Sequence, residues 1–83
     1  MSTSAVRVSL DPAAIDVAIS GELLRVTLSD GRELAAPLQW FPRLLDATPE
    51  QRQRWRLIGR GQGIHWPDVD EDISVRGLLG LPT

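Results

Sequence analysis

The 83-residue chain contains no cysteine, no lysine and no tyrosine, and it carries one histidine, His65, one methionine and one phenylalanine. Each absence closes a class of chemistry. Without cysteine there can be no disulfide, thiolate nucleophile, iron–sulfur cluster or Cys-ligated zinc. Without lysine there is no Schiff base, and any Ser/His/Asp triad would rest on His65 alone. The sequence also lacks an apolar run near the roughly 18 residues of a membrane span. Met1-Ser2-Thr3-Ser4-Ala5 has neither the basic nor the apolar region of a secretion signal. The expectation is a non-catalytic cytoplasmic protein with no cofactor and no bound metal.

Nine basic residues, all arginine, face eleven acidic ones, a formal net charge of −2. Binding to a phosphate backbone rests on a basic footprint that this balance does not supply, so direct nucleic-acid binding is not expected. At 9.2 kDa the chain makes one domain. Folding hides only about two thirds of the surface at this size, and stability of a few kcal/mol in order of magnitude follows.

Alternation marks the strands. Ile15, Val17 and Ile19 form one apolar set and Leu24, Val26 and Leu28 another, each with polar neighbours between them, the period of a half-buried strand. For Ile19 to face Leu24, the connection must be the two residues Gly21-Glu22, and glycine in first place suits a type II′ turn. A third strand, Arg32–Leu38, offers Leu34, Ala36 and Leu38 inward. Parity then requires a three-residue loop, Ser29-Asp30-Gly31, with Gly31 left-handed as a G1 bulge, setting Val26 opposite Leu34 and Leu24 opposite Ala36.

Short helices follow. Pro42 suits the first position of a helix carrying Leu44 and Leu45. Thr48-Pro49-Glu50-Gln51 reads as a capping box opening a second helix that runs to Trp55 or Arg56. Gly59-Arg60-Gly61-Gln62-Gly63 is a turn, Ile64-His65-Trp66 a short strand ending at Pro67, and Asp68–Asp72 an acidic loop. Ser74 caps a last helix with Val75, Leu78 and Leu79 that stops at Gly80. The reading is therefore an α+β fold, an antiparallel meander of three to five strands covered by short helices in a single small domain over residues 13–80. Residues 1–12 are read as a weakly ordered segment or an edge strand built on Val6, Val8 and Leu10, and residues 81–83 as a tail.

Candidate sites compete with plainer accounts. The glycine run has the spacing of a phosphate-cradling loop, but the motif needs a following helix and a P-loop lysine, and a structural turn is the better account. His65 with Asp68, Asp70 and Asp72 suggests a metal. Counting from Asp68, however, the calcium-loop glycine and glutamate positions fall on Ile73 and Leu79, and zinc would want a second nitrogen or sulfur ligand. Trp40, Trp55 and Trp66 could stack bases or sugars, yet two of the three read as core anchors, with a partly exposed role open for one. Arg52, Arg54, Arg56 and Arg60 could meet an acidic partner or simply form a solvated face.

Several stretches taken together resemble one family: Leu28-Ser29-Asp30-Gly31-Arg32, Trp40-Phe41-Pro42-Arg43-Leu44, Ala47-Thr48-Pro49-Glu50-Gln51-Arg52, Gly63-Ile64-His65-Trp66-Pro67 and Asp70-Glu71-Asp72-Ile73-Ser74. The chain is similar, from about residue 13 to 80, to the bacterial domain of unknown function family 2442. The resemblance implies a small α+β domain with an antiparallel sheet, no assigned activity, no cofactor and no agreed catalytic residue. Some members resemble a two-part arrangement in which this domain precedes a helix-turn-helix, a pattern from which this sequence departs. The family is also similar to the antitoxin-like halves of small two-gene cassettes.

Two functional classes stand ahead of any enzyme. One is a protein-interaction module, an antitoxin-like or regulatory partner of another small protein, present as a monomer or weak homodimer. The alternative is a phage-associated, anti-CRISPR-like inhibitor whose acidic loop mimics nucleic acid on a basic effector; a DNA-associated regulator is third. The expected partner surface is the helix-to-strand corner and the residues after it: Trp55, Arg56, Arg60, His65, Trp66, Asp68, Asp70, Glu71 and Asp72. Irregular backbone there gathers aromatic, arginine and carboxylate groups.

Overall fold

The computed structural model describes residues 12–80. The three alternating runs of the N-terminal half form an antiparallel meander of β1 (Ala14–Ser20), β2 (Leu23–Leu28) and β3 (Glu33–Pro37). Ser20 stands opposite Leu23 and Ile19 opposite Leu24, and only the first turn residue, Gly21, has positive φ, at 59°, as the two-residue turn requires. Across β2 and β3, Val26 faces Leu34 and Leu24 faces Ala36. Gly31 is left-handed at φ 93°, and its N–H bonds to the Leu28 carbonyl at 3.0 Å. Asp30 closes the loop by accepting from the Arg32 main-chain N–H at 3.1 Å and its Nε at 3.0 Å.

One expectation fails inside β1. Ile15 does not join Val17 on the inner face but is 57% exposed, because a bulge between Ala14 and Asp16 inserts one residue against β2. The neighbouring loop comes close at this point: a Cβ at Gly61 would sit 2.8 Å from the Ala14 carbonyl oxygen and from the Ala13 Cβ. Two backbones meet there, and the bulge turns the small Ala14 inward instead of Ile15.

After a 3₁₀ turn, Leu38–Trp40, come α1 (Pro42–Leu45) and α2 (Pro49–Gln53). The capping box forms at α2: Thr48 Oγ1 accepts from the Gln51 N–H at 3.1 Å, and the Gln51 side chain accepts from the Thr48 N–H at 3.0 Å. The helix is shorter than the expected run to Trp55 or Arg56. It stops at Gln53, and Arg56–Ile58 form β4, a strand the sequence reading did not anticipate. β4 pairs with β5 (Gly63–Trp66), which pairs with β6 (Glu71–Ser74) in a second antiparallel meander. The expected acidic loop is thereby divided, since Glu71 and Asp72 belong to β6. Ser74 Oγ then accepts from the Gly77 N–H at 2.8 Å to cap α3 (Val75–Leu78), and Gly80 is left-handed after it.

The whole is a single small α+β domain with one core. Leu24, Val26 and Leu28 of the first sheet meet Ile64, Trp66 and Ile73 of the second, and Leu38, Leu44 and Val75 from the short helical segments fill the remaining space. Each fully buried leucine contributes about 2 kcal/mol of transfer free energy. Pro12 is buried and its carbonyl accepts from Gln62 Nε2 at 3.2 Å, which ties the start of the described chain to the β4–β5 loop. The expected weakly ordered segment or edge strand built on Val6, Val8 and Leu10 and the expected tail at 81–83 lie outside the described residues. Among the described residues, no helix is long and apolar enough to cross a membrane.

Candidate functional site

Burial of Ile64 and Trp66 turns His65, between them on β5, to the outer face of the second sheet. Register does the rest. Arg56 stands opposite His65 and His65 opposite Asp72, so a cation, an imidazole and a carboxylate lie in one row across three strands. His65 Nδ1 is in close contact with Asp72 Oδ1. The neighbouring row is Ile58, Gly63 and Ser74, where Ile58 lies over the bare glycine: a Cβ at Gly63 would be 3.0 Å from Ile58 Cγ1.

The turn between β5 and β6, residues 67–70, is held by arginines from the helical layer. Arg54 donates to Asp68 Oδ2 at 2.6 Å, and the Arg43 guanidinium donates to the Asp70 carbonyl oxygen, with the Asp70 carboxylate 3.9 Å away. Asp70 itself is left-handed at φ 54°, a conformation that aspartate tolerates better than most residues. In β6 the Glu71 carboxylate accepts from the Asp72 N–H at 3.1 Å. Part of the acidic character of this segment therefore serves the turn itself. Among the described residues, no group of three or more His, Asp or Glu side chains is arranged to hold a metal ion.

The expected surface set is only partly brought together. Trp55 and Arg56 lie just beyond Arg54, which grips the acidic turn, but Trp55 is half-buried against the core. Arg60 sits at the other end of β5, in the β4–β5 loop, left-handed at φ 58° between two left-handed glycines. Trp66 leaves the set altogether. It is fully buried, and its indole N–H donates to the Arg52 carbonyl at 3.0 Å, so it is a core residue and presents nothing to a partner.

Trp40, weighed in the sequence only as one of three tryptophans and left out of the expected partner surface, is the most exposed of them. It is 67% exposed and, with Phe41, Ile73, Gly77 and Leu78, lines a shallow groove of about 240 Å³ beside β6. In the sequence it stands in an apolar cluster at the boundary before Pro42, with a partly exposed role open for one of the three tryptophans. The 3₁₀ turn beginning at Leu38 rotates it outward, and the sequence carries no signal for that rotation beyond Pro42 opening the next helix.

A family model described as "Protein of unknown function (DUF2442)" matches residues 14–81. The chain belongs to this family, as its motifs suggested. It is similar, at 29% identity and a TM-score of 0.72, to the crystal structure of a protein of unknown function from Rhodospirillum rubrum, with 84% of this chain and 88% of that one covered. The search of curated proteins found no match.

Proposed function

We propose that the chain is a non-catalytic protein-interaction module, an antitoxin-like or regulatory partner of another cytoplasmic protein, working through the outer face of its second sheet. The observation that carries this reading is the row Arg56, His65 and Asp72, brought into cross-strand register on a face that the core does not use, with exposed Ile58 beside it. Interaction surfaces combine such paired charges with apolar anchors on a fixed scaffold. A nucleic-acid mimic is less well supported. Asp68 and Asp70 have arginine neighbours within the fold, and Asp72 has His65, so the carboxylates present no uninterrupted phosphate-like array.

The experiment is affinity capture of the tagged chain from its native cell, followed by purification of any stoichiometric partner and titration calorimetry. Exchanging the charges, with Arg56→Glu and Asp72→Arg combined, keeps the net charge and leaves His65 a carboxylate neighbour. Partner affinity falls at least tenfold while the melting temperature stays within a few degrees, because exposed charges contribute little to folding. Turnover of a substrate by the chain alone would replace this reading with an enzymatic one.

A further inference from the structure

We propose that β6 is a docking edge for an extended, basic segment of the partner, which adds as a fourth strand to the second sheet and seats one apolar side chain in the Trp40 groove. This deepens the interaction reading above and rests on it.

Three observations converge. β6 is the outer strand of its sheet, and the Val75 N–H bonds to the Gln62 carbonyl at 2.9 Å in the same register as the pairs before it. Antiparallel ladders alternate, so Ile73 and Glu71 direct their main-chain groups to β5, whereas Asp72 and Ser74 direct theirs away from the sheet. Among the described residues no further strand pairs with that edge; the Asp72 N–H is held by the Glu71 carboxylate at 3.1 Å and the Asp70 carbonyl by Arg43, contacts that an added strand exchanges for its own ladder bonds.

The groove lies along the same edge. Asp72, Ile73 and Ser74 line it, between Trp40 and Phe41 on one side and Gly77 and Leu78 on the other. Its volume of about 240 Å³ is below the roughly 300–1,000 Å³ of small-molecule clefts. It suits one apolar side chain of a peptide better than a cofactor.

Charge selects the occupant. The Asp70 side chain is 90% exposed and that of Asp72 65% exposed, and Glu71 stands between them. The arginines near this rim are Arg43, which mainly contacts the Asp70 carbonyl, and Arg76 on α3, while the His65 imidazole contacts Asp72. Two copies paired through β6 would bring two acidic edges together, which argues against a homodimer here. Arginine or lysine flanking an apolar residue completes the edge instead.

The test uses the full chain, ¹⁵N-labelled, titrated with an acetylated nine-residue peptide that alternates arginine with valine around a central leucine. Saturable binding is expected, with slowed amide exchange at Asp72 and Ser74. Affinity falls at least tenfold when glutamate replaces the arginines, when proline replaces the central leucine, and in Trp40→Ala, whose exposed side chain can be removed without unfolding the domain. Ile15→Ala, on the other sheet, binds within twofold of the parent. No saturable binding, unchanged affinity in Trp40→Ala, protection appearing at another strand, or a peptide-independent dimer through β6 would each overturn the proposal. A native partner that binds Trp40→Ala undiminished but loses the charge-exchanged variant overturns this edge and leaves the interaction module standing.

Discussion

The indole N–H of Trp66 donates to the main-chain carbonyl of Arg52 at 3.0 Å, joining the centre of the second sheet to the end of α2. A five-residue helix cannot satisfy its own last carbonyls, and Arg52 is the next to last residue of this one. The buried tryptophan fills core space and also terminates the helix. Trp66→Phe removes the donor along with part of the ring and is expected to cost about 1–3 kcal/mol; Trp66→Ala adds a cavity and costs about 3–5 kcal/mol. Urea unfolding of both variants checks the order and the gap.

Gly61 and Gly31 share a left-handed backbone but differ in surroundings. Space around Gly31 is open, whereas a Cβ at Gly61 would meet the Ala14 carbonyl oxygen and Ala13 Cβ at 2.8 Å. Gly31→Ala therefore costs about 1–2 kcal/mol for conformation alone, and Gly61→Ala costs more because two backbones must separate. Within the turn, Gly31→Val is expected to melt lower than Gly31→Asn, since asparagine tolerates this region and a β-branched residue does not. Equal melting of Gly61→Ala and Gly31→Ala would contradict the close approach of Gly61 to the β1 bulge.

Arg60 is a non-glycine residue at φ 58° in a loop where both neighbours are glycine. Relief of that conformation by Arg60→Gly is expected to raise stability by up to about 1 kcal/mol, read as a small rise in melting temperature. A fall would mean that the arginine side chain contributes packing or pairing that outweighs its backbone strain.

Ile15 and Val17 separate what the sequence showed from what it hid. Two-residue parity placed both inside, and for β2, β3 and the connecting turns the same parity was right, because alternation and turn chemistry are local properties. The bulge is not local. It lies against Gly61, far along the chain, a contact that no pattern in β1 encodes. Likewise the capping box at Thr48 was legible, while β4 was not, since Arg56, Leu57 and Ile58 are all exposed and show no alternation. Of the site, His65 and the acidic residues were visible in sequence, but their row with Arg56 exists only through the register of three strands. Ile15→Thr is expected to change stability by less than about 0.5 kcal/mol, whereas Val17→Thr buries a hydroxyl and costs about 1–3 kcal/mol. Chemical denaturation distinguishes the two.

The most direct test of the interaction account is the affinity of the purified native partner for the parent chain and for the charge-exchanged variant carrying Arg56→Glu and Asp72→Arg, measured by calorimetry beside their melting curves. A stoichiometric complex is expected, weakened at least tenfold in the variant while melting shifts by no more than a few degrees. Equal affinity for the two chains, or the absence of any stoichiometric partner, would contradict it.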